Sequence, residues 1–164
     1  MRIVSLKNIA LLAFMSLTST GCIFDSGSKK VAGRFILVWI DMPENQGLGE
    51  QSELNSSSSA SIIPPYVFAV GHNNRYIIVK QHPTNGFEGG FKMDTSFTNY
   101  YVVDMEVKDT MGVRRTTGPL DLKEFSHLRK RLGIEDILFD MTFRDDIYPT
   151  ISLPDSLKRT PAYY

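Results

Sequence analysis

The chain is poor in the residues that most often carry chemistry. It holds one cysteine and three histidines in 164 residues. A lone thiol excludes an internal disulfide and a zinc site built from several thiolates. His72, His82 and His127 show no pair at metal-binding spacing on one element, so no metal is expected. Joining His72 and His82 across a hairpin is the one route left, set against ordinary surface and strand-end histidines. No cofactor is expected. The loop Gly86-Phe87-Glu88-Gly89-Gly90 lacks the Lys-Ser/Thr of a phosphate cradle and does not open a helix. No serine sits in a Gly-x-Ser-x-Gly elbow. Asp145-Asp146 and Glu135-Asp136 read as solvated surface charge.

An excess of one charge is also missing, since 18 Lys+Arg balance 18 Asp+Glu. Arg2 and Lys7 are the only charges in residues 1–21, so the remainder has 16 basic against 18 acidic residues, a net of −2. That excludes a generally basic nucleic-acid binder and a strongly acidic disordered chain. The hydrophobic share of 42% is enough for a packed core. The basic groups Arg129-Lys130-Arg131 and Arg114-Arg115 read as solvated faces.

Only one long apolar run is present. Arg2 and Lys7 precede Ile9-Ala10-Leu11-Leu12-Ala13-Phe14-Met15-Ser16-Leu17, which is shorter than the ~20 residues of a spanning helix. Thr18-Ser19-Thr20-Gly21 then leads into Cys22. This resembles the lipobox of bacterial lipoproteins, with Ser19 where the family usually has Leu. The resemblance implies cleavage before Cys22 and a diacylglycerol on its thiol, hence a lipid anchor in a bacterial membrane. The alternatives are plain secretion, cut after a small residue such as Gly21 with Cys22 inert, and an uncleaved anchor. Residues 1–21 are thus expected to be a signal peptide and 22–30 a lipidated tether. Lys29-Lys30 would be a solvated pair or lie on anionic headgroups.

Residues 31–145 read as one α+β domain. A β-branched and aromatic run, Phe35 to Ile40, predicts a strand covered on both faces. Residues 42–61, with Gly47, Gly49 and the serines 56–59, predict a flexible loop holding at most a short element near Leu48–Leu54. Tyr66–Val70 and Tyr76–His82 flank Gly71-His72-Asn73-Asn74 and predict a β-hairpin. Phe97 to Val107 predicts a strand with one face solvated, and Lys108 to Thr117 a polar turn region. Leu122 to Leu132 predicts the one helix. Asp121 and Glu124 form a capping box, Leu120 and Phe125 a staple, and Gly133 the stop. Its apolar stripe is Leu122, Phe125, Leu128 and Leu132. Residues 137–143 suggest a last strand, and 146–164 an extended arm or frayed tail. The expected architecture is one small antiparallel sheet of about four to six strands, with this amphipathic helix packed on one face.

The blocks Val67–Asn73, Tyr76–Pro83, Thr98–Asp104 and Gly118-Pro119-Leu120, in that order, are similar to a family of small bacterial lipoproteins of unknown function. The resemblance spans roughly 31–140. It implies a cell-envelope protein with a small α+β domain, and brings no catalytic residue.

From the residues themselves, tyrosines are the most suggestive feature. A flat apolar ring with a polar tip suits recognition of a protein or a glycan. Tyr66, Tyr76, Asn99, Tyr100 and Tyr101 are therefore the candidate partner-binding residues, on an exposed sheet face. Cross-strand tyrosines that only stabilise the sheet are the competing reading. Lys80 and Asp104 are a candidate cross-strand ion pair. The function expected is non-enzymatic binding of an unknown envelope protein or glycan by a membrane-tethered domain. The alternatives are a small envelope hydrolase, which would need a pocket around His72 or His82, and a purely structural or accessory lipoprotein. Nucleic acid is not an expected partner.

Overall fold

The computed structural model describes residues 26–40, 45–53, 59–84, 92–108, 114–144 and 150–159. The expected signal peptide, Cys22, the serines 56–58, the Gly86–Gly90 loop and Asp145-Asp146 lie outside them.

Strand alternation decides the layering. In β2 (Phe35–Trp39), Phe35 and Leu37 are buried in a cluster that includes Val31 of β1 (Gly27–Ala32). Leu48 of β3 (Gly47–Gln51) and Ile62 and Ile63 of β4 (Ser59–Ile63) join it. These four strands form an antiparallel sheet in the order β1-β2-β3-β4. The same cluster takes Val67 and Val70 of β5 (Val67–His72), Ile77 and Val79 of β6 (Tyr76–Gln81), and Tyr101 and Val103 of β7 (Asn99–Lys108). Those three strands belong to a second sheet, ordered β8-β7-β6-β5-β9, with β8 Arg114–Leu120 and β9 Met141–Thr142 at its edges. The main core therefore lies between two sheets.

The residues between these positions point the other way. Ile78 and Val102 pack against Phe125 and Leu128 of α1 (Leu122–Leu132), with Ile134 and Ile137 closing the cluster. The molecule is layered as sheet, sheet and helix. The expected sheet and helix are present, but the fold is sheet-dominated, with two sheets instead of one. The first sheet was hidden because Gly and Ser fill its alternate positions. Gly47 to Gln51 and Ser59 to Ile63 carry only a few apolar residues, yet Leu48, Ile62 and Ile63 are buried. Within the stretch that read as a loop, Gly47–Gln51 and the start of Ser59–Ile63 are strands. Likewise Gly27 to Lys30 of the expected tether belong to β1 and pair with β2, with Lys29 and Lys30 opposite Leu37 and Ile36.

The helix follows its local sequence code. Asp121 accepts the Glu124 N–H at 2.8 Å, and Glu124 accepts the Asp121 N–H at 2.8 Å. At the other end Gly133 has φ 65°. Its N–H bonds Lys130 O, and the Ile134 N–H bonds Arg129 O, a left-handed cap that only glycine adopts without strain. Leu120 joins the Phe125–Leu128 cluster, as expected of the staple, and Ile134 packs there beyond the Gly133 stop. Leu122 does not belong to the stripe, being 61% exposed. One face of β7 was expected to be solvated, but the helix covers its Tyr100–Val102 face, with Val102 buried and Tyr100 half-buried, and the first sheet covers the other. Residues 114–120, expected as part of a turn and its exit, form β8 against β7.

The C-terminal stretch is an extended arm over its described part. Thr150 bridges Met93 in parallel, and Ile151 N–H bonds Met93 O at 3.0 Å. After the short helix α2 (Asp155–Lys158), Arg159 reaches the capping box, 2.9 Å from Glu124 and 3.3 Å from Asp121.

The turn after α1 is packed tightly on β5. A Cβ at Gly71 would run into the Leu138 backbone carbonyl, which cannot swing aside as a flexible side chain would. Gly71→Ala should therefore cost about 1–3 kcal/mol in urea unfolding. Asp121→Ala should cost about 1 kcal/mol through loss of the cap.

Candidate functional site

The five residues expected to form a partner face are divided among three environments. Asn99 and Tyr101 share strand parity with Val103 and point into the space between the sheets, where both are 0% exposed. Tyr66 is buried at the corner where the chain passes from the first sheet to the second, with φ 70°. Tyr76 and Tyr100 lie on the helix side. The Tyr100 ring stacks on Phe125 with centroids 4.8 Å apart, and burial pushes its hydroxyl pKa up. The expected exposed tyrosine face is therefore not formed. A second sheet covers one side of β7 and α1 covers the other, so the competing, structural reading describes Tyr101 and Tyr100.

Asn99 instead belongs to a buried amide relay. Its Nδ2 donates to Gln81 Oε1 at 3.1 Å and to Lys158 O at 2.9 Å. Gln81 Nε2 donates to Pro65 O at 3.0 Å, and Gln46 Nε2 donates to Val67 O at 3.0 Å. Gln81→Leu would leave the Pro65 carbonyl and one Asn99 donor direction without these partners. It should lower stability by about 2–4 kcal/mol, measured by denaturant unfolding.

The histidines are far from converging. Antiparallel pairing sets His72 opposite Ile77 and Val67 opposite Gln81, so His72 and His82 lie at opposite ends of the hairpin. His82 is buried, stacks on Phe68 at 4.1 Å and has Nδ1 2.7 Å from Phe97 O. His72 lines an open hollow of 490 Å³ with Gly33, Arg34 and Met105. His127 lies on the exposed face of α1. Among the described residues no group of three or more His, Cys, Asp or Glu is placed to hold a metal.

The concavity with the most varied chemistry lies between α1 and strands β6–β8. Tyr76, Val102, Asp104, Thr117, Leu128, Arg131 and Leu132 line a cleft of 470 Å³. Its polar wall is built by a turn. Asn73 Oδ1 accepts the N–H groups of Arg75 and Tyr76 at 2.8 and 2.7 Å, an Asx turn that sets the hairpin register. Register then places Tyr76 opposite Asp104 and Lys80 opposite Tyr100. The expected Lys80–Asp104 pair is thus replaced. Arg75 bonds Asp104 at 3.0 Å and lies over the Tyr76 ring at 5.1 Å. Lys80 lies over Phe139 at 4.5 Å.

Asp104 is fully engaged, because the N–H groups of Glu106 and Val107 also reach its Oδ1. Arg131 is different. It is exposed on the cleft rim and makes no hydrogen bond or ion pair among the described residues. The cleft therefore offers an apolar floor, an aromatic wall and one unengaged guanidinium. Sequence reasoning assigned Arg131 to a basic helix face. Its place one turn after Leu128 on the helix was the available signal, but the opposing strand could not be inferred. Arg129, in the same basic run, is committed to the fold through the carbonyls of Ile134, Glu135 and Ile137.

A family model described as a protein of unknown function, DUF3997, matches residues 33–147. The chain belongs to the DUF3997 family. The match runs close to the 31–140 span of the resemblance seen in the sequence. It includes the β2–β9 elements and α1, hence the whole described cleft of this DUF3997 domain. No curated protein and no solved structure matches the chain.

Two buried carboxylates tie the DUF3997 domain to pH. Burial pushes Asp104 up, but the Arg75 hydrogen bond, two backbone N–H groups and the Arg75 charge together hold its pKa below the usual value. Asp94 is also pushed up by burial. Hydrogen bonds from the Ser96 hydroxyl and the Leu153 and Ser96 N–H groups, with the charge of Lys158, bring it below the usual value. A depressed folded pKa means stability fully present above about pH 4 and lost as pH falls through the folded value. Thermal denaturation between pH 2 and 7 should show this loss below about pH 4. The acid-side slope should become shallower in Asp104→Asn and in Asp94→Asn.

Proposed function

We propose that the protein is a lipid-anchored cell-envelope protein whose domain is a non-enzymatic binding module. The α1–β8 cleft is its partner site, and the occupant is an extended, acidic segment of an envelope protein or glycan. One observation carries this reading: the unengaged Arg131 stands beside an apolar floor and the Tyr76 ring in an open cleft. A guanidinium in such a place meets a carboxylate in two parallel hydrogen bonds. An open, partly apolar cleft suits the rest of an extended chain. The anchor rests on the basic, apolar and small-residue order of residues 2–22. Two acyl chains on Cys22 would hold the domain stably where one would not.

Both parts are testable in cells of the source organism. Cys22→Ala should move the protein from the membrane fraction to the soluble fraction, and a variant that stays in the membrane removes the anchor reading. In crosslinked affinity capture, the wild-type chain should retain a partner that Arg131→Glu loses by at least about tenfold, as expected of a desolvated charge pair. Circular dichroism should be the same for both, since Arg131 is exposed. Equal capture by the two chains removes the cleft reading.

A further inference from the structure

The outward face of the first sheet carries an apolar stripe that becomes exposed towards Ile40. Phe35 and Leu37 face the core, so by alternation Ile36, Val38 and Ile40 face away from it. Burial falls along this stripe. Ile36 is buried, Val38 half-buried, and Ile40 at the strand's end is 64% exposed. These side chains line a shallow groove of 320 Å³, and Ser26, Gly27, Ser28 and Trp39 form its neighbouring wall. None of the described lining residues is charged. Lys30 lies beside the groove, opposite Ile36 in register and exposed.

Chain length limits where this groove can sit. Ser26 lines it, and Ser26 is four residues after Cys22. Four residues span at most about 14 Å, whatever path they take. If Cys22 is acylated at a bilayer surface, the groove is held within about 14 Å of the headgroups. An exposed isoleucine and a lysine match the chemistry of that zone. Apolar side chains reach the acyl boundary, and a cation meets lipid phosphate.

We infer that the outward face of the first sheet, with Ile40 at its tip and Lys30 at its side, rests on an anionic phospholipid surface. The inference rests on the proposed acylation of Cys22 and adds an orientation to it. The layers then stack away from the membrane as first sheet, second sheet and helix. Sheets pack about 10 Å apart, so the α1–β8 cleft opens roughly 20 Å from the lipid, turned towards a partner. One face meets lipid and the opposite face recognises.

The test uses the mature chain, beginning at Cys22, purified with its acyl group and reconstituted in phosphatidylethanolamine/phosphatidylglycerol vesicles. Mass spectrometry of the Cys22 peptide first reports the acylation. Absence of the acyl group overturns the anchor reading, and the orientation with it. On the acylated protein, Ile40→Cys and, as a control, Leu138→Cys are each labelled with an environment-sensitive fluorophore. Leu138 is 75% exposed and precedes Phe139, which packs with the helix cluster on the other side of the molecule. The expected result is a blue-shifted label at position 40, quenched at least twofold more by brominated lipid than the label at position 138. Lys30→Glu should reduce that quenching in anionic vesicles. Equal quenching at the two positions, on protein shown to be acylated, overturns the orientation and leaves the anchor standing.

Discussion

The structure depends on how the chain turns the corner between its two sheets without stranding backbone groups in the core. Pro64-Pro65-Tyr66 makes this passage with Pro64 and Tyr66 buried and Pro65 half-buried, where backbone groups have little access to water. Three amide side chains take its place. Gln46 serves Val67, Gln81 serves Pro65, and Asn99 holds Gln81 while reaching Lys158. Backbone bonds Val67 N–H to Gln46 O and His82 N–H to Tyr66 O complete the corner. An amide can donate and accept at once, so one relay joins both sheets and the C-terminal arm. Apolar residues at these positions would fill the space but leave the carbonyls unsatisfied.

That relay also helps hold the arm, residues 150–159, against the domain. Its residues are polar and proline-rich, with little apolar area beyond the buried Leu153. The arm is held by directed bonds instead. Asp94 receives the Leu153 N–H at 3.1 Å, Asn99 donates to Lys158 O, and Arg159 joins the α1 capping box. The exposed ion pairs at Arg159 contribute little each. The buried contacts at Asp94 and Asn99 are the stronger constraint, since each would otherwise be a desolvated polar group.

Legibility in the sequence varied with the range of the interactions involved. The helix was readable to the residue because its cap, staple and stop are all local. The β5–β6 hairpin was readable because Gly71 to Asn74 is short and the flanking runs are apolar. The first sheet was only partly readable. Its third and fourth strands carry Gly47, Gly49, Ser59 and Ser61 at positions where other strands carry large side chains, and the burial of Leu48 and Ile63 depends on a sheet far along the chain. The candidate site was the least readable part. Tyr100 and Tyr101 look equivalent as neighbours, yet strand parity sends one under the helix and the other between the sheets. Asp104 looked like a partner for Lys80, and one Asx turn gave it to Arg75.

The order of residues 2–22, the α1 boundaries, the central hairpin and the lack of a thiol cluster were determined by the sequence alone, because each depends on neighbours within a few residues. The pairing of the two sheets, the burial of Asn99 and Tyr101, the docking of the arm and the freedom of Arg131 were decided only by the tertiary structure. Each of these depends on what lies across the layer, and a side chain's exposure belongs to its surroundings and not to its residue type.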